Sequence, residues 1–187
     1  SGSHNEDTPK NADIHQDLLN LDDVTHGIVP LENWIDRKRE KGIVKPATLR
    51  RMNSLQSTID EIPELAPPIS VVNLIKFAKQ AYYNGNPNYF ALPTSQENSF
   101  IYPYLNKSNN DNKLIEGYVD STGQFGRITT YMKDIKTSRM EKIESELNSL
   151  IEKIFPKDRY GVKITGKSLL FLKGTKYLIN NLVLSLS

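Results

Sequence analysis

Three histidines, one Gly-Lys-Ser triplet, several carboxylates and a run of tyrosines are the residues in this chain whose types could do chemistry. His4, His15 and His26 are evenly spaced, and that spacing fits no helical or hairpin metal site. A zinc centre needs three or four converging ligands, so no metal is expected. Gly166-Lys167-Ser168 has the ending of a phosphate-binding loop, but the upstream glycine of Gly-x-x-x-x-Gly-Lys is missing, with Gly161 one residue out of place. A strand-to-helix corner accounts for the triplet. No Gly-x-Ser-x-Gly elbow offers a serine nucleophile. Glu32 and Asp36 fall on one strand face, and Glu141, Glu144 and Glu152 on one helix face. Solvated surfaces explain both sets, since acid–base pairs belong in pockets that shift their pKa values. These residues point to no enzyme, no metal and no cofactor.

The aromatic residues remain. Tyr82, Tyr83, Tyr89, Phe90, Tyr102 and Tyr104 lie close together in sequence. Rings with polar tips suit a wet, partly apolar cleft or a protein interface. They suit better the small core of the insertion itself, with a cleft or interface as the alternative.

The elements that position these residues follow from composition and periodicity. At 187 residues, 37% hydrophobic and 25% charged, the chain can bury one core. A net charge of +2 is too small to imply nucleic acid. The basic cluster Arg37, Lys38, Arg39, Lys41, Lys45, Arg50 and Arg51 has no interleaved aromatics and reads as a solvated turn and helix start. No cysteine is present, which removes disulfides and thiolate chemistry. Residues 1–12 read as a tag remnant and loose lead, and 13–23 as a short helix with Ile14, Leu18, Leu19 and Leu21.

A strand is predicted over Val29–Asp36, with Pro30 at an edge or bulge. A helix follows from Pro46 to Pro63, its apolar stripe being Leu49, Met52, Leu55, Ile59 and Ile62. A short strand is predicted over Ile69–Val72, then a helix capped by Asn73 that buries Leu74, Phe77, Ala78, Ala81 and Tyr82. Residues 84–124 read as an irregular insertion, with a short helix near Leu114–Val119. A strand over Arg127–Met132, a helix from Ser138 to Pro156 and a strand over Val162–Thr165 complete the order. Residues 167–187 read as a final helix. It has no charge after Lys176 and no capping residue, and is expected to run on as a stem toward a membrane span. Two βαβ halves make the expected class α+β, a ferredoxin-like split βαβ sheet with helices on one face.

Several segments together resemble one family. These are Thr8-Pro9-Lys10-Asn11-Ala12-Asp13-Ile14, Gly27-Ile28-Val29-Pro30-Leu31-Glu32, Asn73-Leu74, Arg127-Ile128 and the ending Val162 to Gly166. Their order resembles the first extracytoplasmic loop of resistance–nodulation–division (RND) exporters, in the bacterial branch related to MMPL and Patched proteins. The resemblance covers most of residues 13–166 but not about 83–111. It implies a porter-type domain in the periplasm, attached to a proton-driven efflux transporter of the inner membrane. It implies lipophilic or amphiphilic substrates. The implied partners are the transmembrane helices and second loop domain of the same transporter, or a second copy. The family's proton-relay residues lie within membrane spans and map onto nothing here. The alternative is a free-standing ferredoxin-like interaction module, reading RNA on its sheet. That requires aromatics on adjacent central strands, and Arg127–Met132 offers Tyr131 while Val162–Thr165 offers none.

Overall fold

The computed structural model describes residues 28–108, 113–133, 137–172 and 175–180. The three histidines, the helix expected over 13–23 and the segment 181–187 lie outside the described residues. The fold is mixed α+β: a small antiparallel sheet with five α-helices among the described residues. In chain order these are β1 (Ile28–Asp36), α1 (Pro46–Asp60), α2 (Val71–Tyr82), α3 (Asn98–Ser108), α4 (Lys113–Glu116), β2 (Phe125–Lys133), α5 (Thr137–Ile154), β3 (Gly161–Leu172) and β4 (Thr175–Asn180).

β1 is the middle strand, antiparallel to β2 on one side and to β3 on the other. Pairing with β3 stops at Leu31↔Gly166, so Pro30 lies where β1 has only β2 as a neighbour. A residue without an N–H is tolerated at such a place. Alternation sets the two faces. Leu31, Asn33 and Ile35 of β1, Ile128, Thr130 and Met132 of β2, and Val162 and Ile164 of β3 are buried. They meet Leu49, Met52, Leu55 and Ile59 of α1 and Ile143, Leu147 and Ile151 of α5 in one core. Each helix has one apolar stripe at a spacing of three and four, and it is spent on this face. Glu32, Trp34, Phe125, Arg127, Tyr131 and Lys163 occupy the opposite, open face.

Cations fasten the far end of the core. Arg51 donates to the Ile154 carbonyl in the last turn of α5, where a helix favours positive charge. Arg37 and Lys38 donate to the carbonyls of Arg159 and Lys157. Part of the basic cluster therefore does structural work.

Three elements differ from expectation. No strand forms at Ile69–Val72. Leu65 and Ile69 make single bridges to Met132 and Thr129, with Ala66 N–H donating to Tyr131 O at 2.9 Å. Pro67 and Pro68 remove two donors from this stretch, and Ser70 then ends it by capping α2. Its hydroxyl accepts from Val72 N–H, and the Asn73 side chain accepts from Ser70 N–H. Asn73 is thus the third helical residue in a capping box, and Val71 and Val72 enter the helix. The second difference is the insertion, where Asn98–Ser108 is an eleven-residue helix. Thr94 and Glu97 bond reciprocally before it, in a capping-box arrangement.

The third difference concerns the stem helix expected over 167–187. β3 runs on to Leu172, and β4 returns antiparallel to it from Thr175 to Asn180, opposite Lys167. The strands are separated only by Lys173 and Gly174, and a two-residue link containing glycine between apolar runs favours a hairpin. No helix among the described residues is long and apolar enough to cross a membrane.

Candidate functional site

The helix α2 carries two apolar faces, and only one is buried. Val71, Val72, Ile75 and Ala78 enter the core. Of the residues expected to be buried, Ala78 is and Leu74 is half-buried, but Ala81 is exposed, Phe77 is 57% exposed and Tyr82 44%. The cap at Ser70 explains the choice, because it makes Val71 and Val72 helical and aims that turn at the sheet.

Around this open face the insertion gathers aromatic rings. Tyr82 meets Phe100 at 4.8 Å between ring centroids, Tyr83 at 5.3 Å and Tyr104 at 5.5 Å. Tyr83 stacks on Tyr89 at 4.0 Å. Phe90 packs edge-on against Phe77 at 4.8 Å, with the Lys76 ammonium 5.6 Å from its ring. Tyr82, Tyr83, Tyr89 and Tyr104 are therefore joined, and Phe90 lies with Phe77. Tyr102 is apart: it packs against the main core and donates to the Val44 carbonyl at 3.3 Å. Phe77, expected in the core, and Phe100 also belong to the surface. Phe77 lies three residues from Leu74 and four from Ala81, a stripe turned away from Val71, Val72 and Ile75, and that was the available signal.

A buried ion pair holds this surface in place. Lys79 Nζ lies 2.7 Å from Glu97 Oε1, both side chains being nearly buried. The Tyr83 hydroxyl donates to Glu97 Oε2 at 2.6 Å, and Thr94 N–H donates to Oε1 at 3.0 Å. Burial works to raise the Glu97 pKa, but the hydrogen bonds from Lys79, Thr94 and Tyr83 outweigh it and hold the carboxyl at about 2. The bond to Glu97, then burial, pushes the Tyr83 hydroxyl up to about 12. Tyr83 thus stays protonated across the physiological range and serves as a donor, not a base. α2 and α3 are clamped together, and the rings between them are preorganised.

A second surface is the open sheet face. Trp34 is flanked in register by Arg127 and Lys163. Arg127 donates to Glu32 at 2.6 Å and to the Gly117 carbonyl at 2.7 Å, and its guanidinium lies 5.6 Å from the Trp34 ring centroid. Trp34, Phe125 and Tyr131 share this face, so aromatics do occupy adjacent strands, contrary to the expectation drawn from Tyr131 alone. The arginine is committed within the protein, and the described side chains Glu32, Asp36, Arg127 and Lys163 sum to no net charge. A phosphate backbone would find little to bind there.

Asp36 accepts from Gln124 and from Lys38 N–H, and Glu152 lies 3.6 Å from Lys157, so neither enters a carboxylate pair. Among the described residues no group of three or more His, Asp or Glu could hold a metal. No family model, no curated protein and no solved structure matches the chain.

Proposed function

We propose that this chain is the extracytoplasmic substrate-path domain of a proton-driven RND exporter of the MMPL-like branch, handling lipophilic or amphiphilic compounds. The observation that carries this reading is where the sheet opens. β1 begins at Ile28, β3 pairs with it from Asp36↔Gly161 to Leu31↔Gly166 and runs on to Leu172, and β4 returns to Asn180 opposite Lys167, so the described strands start and finish at one end of the sheet. A domain hung between two membrane spans needs that arrangement. Three of the segments that carry the resemblance, around Ile28–Glu32, Arg127-Ile128 and Val162–Gly166, are neighbouring strands of this sheet.

The split βαβ reading belongs to the same proposal. The order β3-β1-β2, all antiparallel, continues outward to the bridges at Leu65 and Ile69. Counting that segment as a vestigial edge strand, and the β4 strand outside β3 as an addition, supports a ferredoxin-like reading, as does the shared face of α1 and α5. The domain's contribution is binding and guidance by apolar contacts and a few hydroxyls, which is what the clamped aromatic surface offers. The exported chemistry and the proton coupling would reside elsewhere in the transporter, in the inner membrane.

The alternative, a free-standing interaction module, draws on Trp34, Phe125 and Tyr131 of the open face. The gene sequence flanking the 187 codons separates the two. The exporter reading expects an apolar run of about 20 residues on each side. Polar flanks without such runs would leave the interaction module.

A further inference from the structure

Two hollows meet at Arg50, and neither belongs to the aromatic surface. The first lies between the start of α1 and the insertion and has a volume of about 200 Å³. Its walls are Pro46, Leu49, Leu92, Pro93 and the ring of Tyr102, with the Asn98 amide at one side. The second, about 290 Å³, is a shallow shelf between α1 and α5 lined by Arg50, Arg51, Ser54 and Lys153. No carboxylate lines either one. Arg51 is fixed by its bond to Ile154 O and lies 5.7 Å from the Tyr160 ring centroid. Arg50 and Lys153 are exposed, and make no ion pair among the described residues.

We infer that this joint is a binding site for a small anionic amphiphile, with its phosphate or carboxylate head on the Arg50–Arg51–Lys153 shelf and a single short apolar tail in the Leu49–Leu92–Tyr102 slot. Charge complementarity selects the head. A guanidinium pair plus an ammonium, free of competing carboxylates, matches the oxygens of a phosphate. Volume selects the tail: an apolar cavity of roughly 150 Å³ takes one benzene, so the slot admits one ring or one short alkyl chain, not a two-chain lipid. The site uses the chain's own residues alone and does not depend on a membrane context. Its failure would leave the exporter reading where it stands.

The test is calorimetric titration of the 187-residue chain with decyl phosphate below its micelle concentration. Controls are inorganic phosphate, decyltrimethylammonium and phosphatidylglycerol vesicles. Decyl phosphate should bind at least about tenfold more tightly than inorganic phosphate, and decyltrimethylammonium should not bind, because head and tail each contribute part of the free energy. Arg50→Gln with Lys153→Gln should weaken decyl phosphate about tenfold at unchanged melting temperature, since both side chains are exposed. Leu92→Asp should weaken it while sparing inorganic phosphate. Equal binding of the cationic amphiphile would overturn the inference. So would indifference to the double substitution, or binding to vesicles without binding to decyl phosphate.

Discussion

Glu97 is the residue on which the aromatic surface turns. Its removal leaves Lys79 buried without its partner, which costs more than the pair contributes. Glu97→Ala should therefore destabilise the protein by about 3 kcal/mol in chemical denaturation. Lys79→Met combined with Glu97→Gln should lie closer to the parent than either single change, because no charge is then stranded. The pH dependence has a definite sign. The folded-state pKa is depressed, so the stabilisation is complete above the ordinary glutamate value of 4.5 and is lost as pH falls through about 2. Acid melts of Glu97→Gln should lack this part of the decline. Asn33 acts in the opposite sense. It is fully buried on the middle strand, and neither amide atom has a hydrogen-bond partner among the described residues. Asn33→Val should raise stability by about 1 kcal/mol, and a loss of stability of similar size would show that the amide is satisfied.

At the scale of elements, the sequence declared what periodicity and prolines control. α1 lies on its predicted stripe, and α5, β1, β2 and the first part of β3 form where they are predicted, because each has one face to bury. Two faces misled on α2: periodicity finds apolar stripes but does not say which meets the core, and the Ser70 cap decided it. The end of the chain misled for another reason. Leu169-Leu170-Phe171-Leu172 is apolar in either period, and short apolar runs do not separate strand from helix. Of the six aromatics, four tyrosines join ring to ring, Phe90 lies against Phe77, and Tyr102 is apart, its hydroxyl facing a carbonyl 58 positions away in sequence. Such long-range partners leave no local trace. The strand pairing itself makes a prediction. Within β3, residues 167–172 pair with β4 and residues 161–166 with β1. A chain ending at Gly166 should keep the sheet and helices and melt within a few degrees of the full chain, since Val162 and Ile164 remain. Global unfolding on truncation would show that the hairpin belongs to the core.

For the whole molecule, the central claim is that this domain stands outside the inner membrane on a transporter. The sheet opening at one end, helices on one face and a rigid aromatic surface are what a domain needs if it guides apolar compounds without altering them. The chain contains no cysteine, so one introduced thiol in it reports location cleanly. Ser57 is exposed on α1 and tolerates a thiol. The decisive measurement is labelling of Ser57→Cys, introduced into the native gene, by a membrane-impermeant maleimide in intact cells with a permeabilised outer membrane. The account predicts full labelling before the inner membrane is opened, on a protein that fractionates with that membrane. Labelling only after lysis would contradict it.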